Sequence, residues 1–410
     1  MREPALPNRA PLFALYAANV VSVTGNVMAT IGIPWFVLQT TGSVAQTGIT
    51  AAVSAAPAIV GALAGGVFVD RVGFKRTSVI ADTASMLAFA LIPAMHATVG
   101  LQFWQLLALV FVGNLFNAPG DTARRSLAPE LANLAHLSLE RMSAFNDAIM
   151  RSSRLIGAPL AGVLVAVIGA SNVLWMDAAT FLVSAVLIGL WVPTLLRGSP
   201  ADPPREPVWS AFAQGARFLW RDQVVLVFTV QSMLTYLLDT ALNAVILPVY
   251  ALQQFGSAVI YGTISGVTAG AALVMALFIG AVGMRGSRRW IFGISFLVFS
   301  LRYWLLALYP SLPWLLLGIV VIGLALGCLN PIVHTVEFER IPADLRARVF
   351  GVITALISVA GPLGGAGGFL LESAGMTTTL IGLGAVYVAT AIIPLMLPVM
   401  RGMERPAVAT

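Results

Sequence analysis

Pro34-Trp-Phe-Val-Leu-Gln-Thr-Thr-Gly-Ser43 returns as Pro248-Val-Tyr-Ala-Leu-Gln-Gln-Phe-Gly-Ser257, at a shift of 214 residues. A proline, a Leu-Gln pair and a Gly-Ser pair recur in register. At the same shift Gly48 meets Gly262, Gly66 meets Gly280 and Arg71 meets Arg285, while Pro129 meets Pro342 one residue out. Such coincidences in apolar sequence indicate a duplicated chain. Hydropathy says what is duplicated. Of 410 residues, 59% are hydrophobic and 10% charged, against about 25% charged in soluble domains. Mean hydropathy is +0.91. Disordered, collagen-like and disulfide-stapled classes are excluded on the same numbers, the chain having the single cysteine Cys328. Three scattered histidines (His96, His136, His334) make no metal constellation.

A bilayer-spanning helix needs about 20 mostly apolar residues. Twelve such runs occur: Pro11–Leu38, Gln46–Val69, Thr77–Met95, Leu101–Pro119, Asn146–Ile168, Asn172–Pro193, Val224–Ala251, Val259–Val282, Arg289–Leu308, Leu312–Val333, Val349–Leu371 and Met376–Val399. Lipid offers no partner to an open backbone group, and the runs lack the alternation of a β-barrel, so they read as helices. The first run is too long for a cleaved leader and is interrupted by Asn19 and Asn26. The chain is therefore expected to be an all-α membrane protein of twelve transmembrane helices.

The basic residues orient it. With Met1 inside, 22 of the 23 Lys and Arg residues fall in cytoplasmic segments or at their helix ends, Arg302 in the ninth span being the exception. A missing span would scramble this pattern. It places both termini in the cytoplasm and removes nucleic acid as the explanation of a pI near 10.0. Six spans separate the copies, an even number, so the repeats are parallel six-helix bundles with a binding cavity expected between them. Residues 1–193 form the first bundle and 223–410 the second. The polar, proline-rich stretch 194–222 reads as a cytoplasmic linker, whose end Trp209–Arg221 has the spacing of a helix lying on the inner membrane surface, a plain start to the seventh span being the alternative.

Between spans two and three stands Gly66-Val-Phe-Val-Asp-Arg-Val-Gly-Phe-Lys-Arg76. It resembles the Gly-x-x-x-Asp-Arg-x-Gly-x-(Lys/Arg)-(Lys/Arg) signature of the major facilitator superfamily. With twelve spans and a six-plus-six duplication, the resemblance covers essentially the whole chain. It implies a cytoplasmic gate formed by Gly66, Asp70, Arg71, Gly73, Lys75 and Arg76, with Asp121 at the end of span four. The second copy has Met284 where the aspartate would sit, so the clamp is expected to be asymmetric. Gly157-Ala-Pro-Leu-Ala-Gly162 in span five is similar to the Gly-Pro-x-x-Gly motif of exporters in this superfamily. Span eleven carries Gly361-Pro-Leu-Gly-Gly365. Gly157, Pro159, Gly162, Gly361, Pro362 and Gly365 are thus candidates for helix bending or close packing. The stretch Asn117-Ala-Pro and Ala-Arg-Arg-Ser-Leu-Ala-Pro-Glu130 resembles the multidrug, macrolide-efflux and siderophore-exporter branch. Drug–proton antiporters often carry an Arg in span four, and Val110–Pro119 has none.

Polar groups at membrane depth default to a cavity or a paired contact. Span seven carries Gln231, Thr235, Asp239 and Asn243 at spacings of four, hence on one slowly drifting face. Span one, its repeat equivalent, carries Asn19, Ser22, Asn26 and Thr30. Asn19, Asn26, Gln231, Thr235, Asn243 and Arg302 are substrate-cavity candidates, although such stripes also serve as interhelical glue. Asp239 near mid-span is the first candidate for a coupling proton, with pairing to Arg302 as the alternative. Asp177 is its rival, though similar depth favours a structural pair of Asp177 with Arg302. Asp82 is expected in an inner-side charge cluster, and His334, Asn330 and Glu337 in an interfacial network. Phe and Met residues are read as lipid-facing or core.

The resemblance implies a secondary active transporter working by alternating access. The expectation is a monomeric, proton-coupled exporter of small amphipathic or hydrophobic compounds in a bacterial inner membrane. Uptake of a nutrient or organic anion is the alternative, and a non-transporting receptor a weaker one. No Gly-x-x-x-x-Gly-Lys-(Ser/Thr) loop occurs and no nucleophile stands beside a base, so neither ATP, an enzyme reaction, a cofactor nor a metal is expected.

Overall fold

The computed structural model describes residues 9–194, 208–283, 286–342 and 345–404. Most of the linker, with Arg197 and Arg205, lies outside the described residues, as do Met284 and Arg285. Among the described residues there is no strand, and eleven helices are long and apolar enough to cross a membrane. The fold is that of an all-α, multi-pass membrane protein.

The first half runs α1 (Ala10–Thr41), α2 (Val44–Ala55), α3 (Pro57–Val72), α4 (Phe74–Thr98), α5 (Phe103–Leu115), α6 (Asn117–Leu134), α7 (Leu139–Ile168) and α8 (Ala170–Trp191). The second runs α9 (Val208–Arg221), α10 (Gln223–Ala241), a π turn (Leu242–Ile246), α11 (Leu247–Phe255), α12 (Ala258–Val282), α13 (Arg288–Ser300), α14 (Arg302–Ala307), α15 (Leu312–Arg340), α16 (Arg346–Gly364), α17 (Gly367–Ala374) and α18 (Met376–Met396). A 3-10 turn, Pro398–Met403, follows.

Two spans differ from the hydropathy reading. The fourth continues past Pro119 to Leu134, because Pro119 falls in the first turn of α6, where its missing N–H is not needed. The fifth begins earlier than read, α7 starting at Leu139, well before Asn146.

The chain forms two compact units, each built on the same packing plan. In the first, α1 lies along α7 and α8, and α4 along α6 and α8. In the second, α10 lies along α16 and α18, and α13 along α15 and α18. This correspondence is the three-dimensional counterpart of the 214-residue repeat. The first unit also takes in residues 257–263 at the start of α12, and the second takes in 44–49 at the start of α2. Each of these segments is held by a glycine-on-glycine crossing. A Cβ on Gly162 would stand 2.9 Å from the Cα of Gly262, and one on Gly48 would stand 2.9 Å from the Cα of Gly368. Only glycine lets backbones approach this closely.

In the first unit, beside the start of α1, Leu12, Leu15, Leu127, Leu131 and Ile188 form an apolar cluster. In the second, Leu219 of α9 packs with Val225, Ile341, Val349 and Val352. Trp220, Arg217 and Arg221 on the other faces of α9 are exposed. Outward faces of both units are lined by groups such as Leu190, Trp191, Phe278 and Leu308, all more than half exposed. Such a surface suits hydrocarbon and no aqueous one.

The end of the second unit where α10 and α13 begin is tied by charge. Asp222 caps α10, its Oδ1 accepting from the amides of Val224 and Val225 at 3.1 Å, and Arg340 donates to it from α15 at 2.9 Å. Glu404 caps α13, accepting from the hydroxyl of Ser287 and from the amides of Arg288 and Arg289 at 3.1 and 3.3 Å. Partial burial opposes the Glu404 charge. The Ser287 hydroxyl and the two amides outweigh it, holding the carboxyl below the ordinary glutamate range.

Candidate functional site: an ion pair beside a cavity in the second unit

The helix Gln223–Phe255 carries the polar stripe, with Asp239 at its midpoint. Pro248 has no N–H for the carbonyl four residues back, and the helix opens into the π turn Leu242–Ile246 just before it. Asn243 is the second residue of this turn, and its side-chain amide donates to the carbonyl of Asp239 at 2.8 Å. The corresponding Pro34 lies inside the unbroken α-helix α1. The repeated proline therefore has different consequences in the two copies.

Beside the π turn lies a cavity of about 200 Å³. Its polar lining is Asp239, Asn243, Ser265, Thr268 and Arg302, set in a wall of aliphatic side chains with Phe299. Arg302 starts α14 after the break in the ninth span at Leu301, and its guanidinium donates to Asp239 Oδ1. The Arg302 side chain is only 7% exposed, whereas that of Asp239 is 28% exposed. The carboxylate thus meets the cavity while the cation lies behind it.

Behind the pair stand three aromatic rings. The Arg302 guanidinium carbon lies 4.2 Å from the centre of the Phe299 ring, 4.9 Å from Tyr387 and 5.5 Å from Tyr303. These are cation–π distances. The Tyr387 hydroxyl donates to Asp239 Oδ1 at 3.3 Å, and that of Tyr303 to the carbonyl of Leu238 at 2.7 Å. The rings brace one another, with Tyr387 centred 5.9 Å from Phe299 and 5.8 Å from Tyr303. Among the described residues the Arg302 Nε has no hydrogen-bond partner. Stranding a buried cation by removing its partner costs about 3–5 kcal/mol. Each ring contributes roughly 0.5–2 kcal/mol, so three are of the right size to offset that loss.

The four-residue stripe does not share one environment. Asp239 and Asn243 line the cavity. Gln231 is buried and donates to the carbonyl of Thr390 on α18 at 3.1 Å, and Thr235 is not part of the lining. The expected pair of Asp177 with Arg302 is not formed. Arg302 belongs to Asp239, and Asp177 lies on α8 in the first unit with no partner for either carboxyl oxygen among the described residues. Similar depth placed the two together on paper; helix packing assigns them to different units. The hydroxyl of Thr180 beside Asp177 goes to its backbone carbonyl at 2.6 Å.

In α1, Asn19 and Asn26 are half-buried, Ser22 is buried and Thr30 is exposed, donating to the carbonyl of Val27 at 2.6 Å. Asp82 joins a buried cluster in the first unit: Arg124 donates to its Oδ1, Ser184 to its Oδ2 at 2.7 Å, and Arg124 also to Ser78 at 3.1 Å. Of the loop signature, Gly73 makes the tight turn between α3 and α4 at φ +89°. Arg71 and Arg76 are exposed, Lys75 is half-exposed, and Asp121 lies exposed at the start of α6. The side-chain surroundings of Gly66 and Asp70 lie outside the described residues.

Among the helix-bending candidates, α7 passes through Gly157, Pro159 and Gly162 without a break. The eleventh span ends one helix at Gly364 and starts another at Gly367, leaving Gly365 in the joint just after Gly361 and Pro362. His334 stands 3.3 Å from Glu337 in a partly buried contact. No group of three metal-ligating side chains occurs among the described residues.

Phe299, Tyr303 and Tyr387 escaped the sequence reading, which left aromatic residues to lipid and core. One signal was present. An arginine inside a span requires partners, and Phe299 and Tyr303 stand three residues before and one after it.

The sequence profile of the Major Facilitator Superfamily matches residues 15–243 and 228–408. The chain is 30% identical over 402 residues to the multidrug efflux pump Tap of Mycobacterium tuberculosis, covering 97% of this chain and 96% of that one. It is 27% identical over 405 residues to the Tap pump of Mycolicibacterium fortuitum, covering 97% and 98%. A variant of the nucleoside transporter NupG shares the fold with a TM-score of 0.76 at 16% identity, covering 97% and 100% of the two chains. The duplicated helical plan, the loop signature and the two-part profile match converge: the chain belongs to the major facilitator superfamily, a family of membrane transporters.

Proposed function

We propose that the chain is a proton-coupled exporter of small amphipathic or hydrophobic compounds, working by alternating access in a bacterial inner membrane with both termini in the cytoplasm. The observation that carries this reading is Asp239: a carboxylate at the middle of a span, paired to Arg302 and open to an apolar cavity. A group so placed exchanges a proton for a cationic or polar substrate group with little rearrangement. The relationship to pumps named for multidrug efflux supports export as the direction and drug-like compounds as cargo.

The remaining roles follow from this reading. Asn243 and Arg302 orient cargo beside Asp239, and Asn19 and Asn26 serve the first unit's part of the path. Gln231 and Thr235 support the helix that carries Asp239. Asp70, Arg71, Lys75, Arg76 and Asp121 form the cytoplasmic gate, with Gly66 and Gly73 allowing its close packing. Asp177 is the second proton-site candidate, and the protein acts as a monomer.

Proteoliposomes with an imposed pH gradient and a panel of lipophilic cations, macrolides and siderophores test the proposal. Asp239→Asn is expected to abolish gradient-driven accumulation while the protein remains folded. Undiminished proton-coupled flux in that variant removes Asp239 from the mechanism. Accumulation that follows the proton, instead of opposing it, replaces export with uptake.

A further inference from the structure

Arg302 has two sets of partners, only one of which is negatively charged. The first is Asp239; the second is the ring trio Phe299, Tyr303 and Tyr387, at 4.2, 5.5 and 4.9 Å from its guanidinium carbon. Phe299 of α13 and Tyr303 of α14 flank Arg302 in the ninth span, Tyr387 comes from α18, and all three side chains are buried. Tyr303 is anchored to the carbonyl of Leu238 at 2.7 Å, one residue from Asp239. The titratable groups facing Asp239 are Arg302 and Tyr303 on α14, Tyr387 on α18 and Tyr236 on its own helix.

We propose that Phe299, Tyr303 and Tyr387 form a second seat for the Arg302 guanidinium, holding that cation in place whenever Asp239 is taken by a proton or by a cationic substrate. The inference deepens the reading of Asp239 as the exchanging carboxylate and rests on it. A carboxylate that is the sole partner of a buried cation cannot leave without stranding a charge. Ring faces attract the same cation without binding protons at neutral pH, so they stay available through the cycle. The Nε of Arg302, without a hydrogen-bond partner among the described residues, fits a guanidinium held by faces as much as by hydrogen bonds. Tyr387 belongs to both sets, since its ring faces Arg302 and its hydroxyl donates to Asp239. It is a positioning residue for the pair.

The test is a stability cycle on the purified full chain, joined to transport. Asp239→Asn and Phe299→Leu are each expected to leave a folded protein, since each removes one of two seats. The double variant should lose more than the two singles combined, by roughly 4 °C or more in thermal midpoint. In an Arg302→Met background the excess should vanish, because there is no cation to strand. Additive losses, or an excess that survives Arg302→Met, overturn the proposal. If the double variant does not fold at all, restored folding on adding Arg302→Met supports it and continued failure overturns it. In proteoliposomes carrying tetraphenylphosphonium, Tyr387→Leu should lower turnover about tenfold with KM changed less than twofold. Tyr387→Phe, which keeps the ring, should recover at least half of the loss; equal damage by both variants overturns the role of the ring. Full transport by Asp239→Asn would defeat the exchange reading alone, and the stability cycle would still decide whether the rings seat Arg302.

Discussion

Asp177 of α8 presses its carboxyl group against Gly25 of α1, so closely that a Cβ on the glycine would stand 2.7 Å from Oδ1. The side chain is fully buried and, among the described residues, neither of its oxygens is hydrogen-bonded, the adjacent Thr180 hydroxyl being directed to the Asp177 backbone carbonyl at 2.6 Å. A buried polar group without a partner is destabilising by about 1–3 kcal/mol. Asp177→Leu is therefore expected to raise the thermal midpoint of the purified protein. Gly25→Ala should lower it, losing about 1–3 kcal/mol of stability through overpacking, because the same Cβ would stand 2.0 Å from Thr180 Oγ1. Thermal unfolding in detergent checks both, and a destabilised Asp177→Leu would show that the carboxyl has a stabilising partner.

Asp82 and Arg124 are expected to behave as a linked pair. Both side chains are nearly inaccessible, at 2% and 6% exposure. Asp82→Asn or Arg124→Met should each lose about 3–5 kcal/mol by leaving one charge unpaired. The double replacement Asp82→Leu with Arg124→Leu should recover most of that loss, as read from a double-mutant cycle on thermal midpoints. Independent, additive effects would refute the pairing.

The two glycine crossings should respond alike. At Gly48 a Cβ meets the carbonyl oxygen of Gly365 at 2.3 Å, and at Gly262 it meets that of Ala158 at 2.6 Å. Both obstacles are backbone, which cannot rotate away, so alanine at either position should lose about 1–3 kcal/mol. Transport should fall in parallel. Tolerance at one site with loss at the other would mean the repeat symmetry does not extend to these contacts.

Glu404 gives a pH signature outside the membrane. Its carboxyl is held below the ordinary glutamate value of about 4.3 by the Ser287 hydroxyl and the two amides acting against burial. A depressed folded value contributes stability that is fully present above the ordinary value and disappears as pH falls through the lowered one. The difference in thermal midpoint between the parent chain and Glu404→Gln should thus be constant near neutrality and shrink below about pH 4.3. A difference that grows on acidification would reverse the assignment.

Much of the architecture was legible because it is written in one dimension. Hydrocarbon thickness sets a helix length, so runs such as Val259–Val282 and Met376–Val399 announce themselves within a few residues of α12 and α18. Where a span mixes polar and apolar residues that logic weakens, and α6 and α7 are where the boundaries moved. The cavity was half legible. The four-residue spacing put Asp239 and Asn243 together, yet the same spacing included Gln231, which turns into packing against α18.

The sequence by itself determined the helical class, the gathering of basic residues into alternate loops and the duplication, since each depends on composition, spacing or order along the chain. Tertiary structure decided who meets whom: Asp239, and not Asp177, receives Arg302, and the distant Tyr387 joins the neighbouring Phe299 and Tyr303 around the same cation. The physical reason is rotation and packing. A helix's apolar length says how it crosses the bilayer, but the turn about its axis that brings a side chain to its partner is set by the close packing of its neighbours.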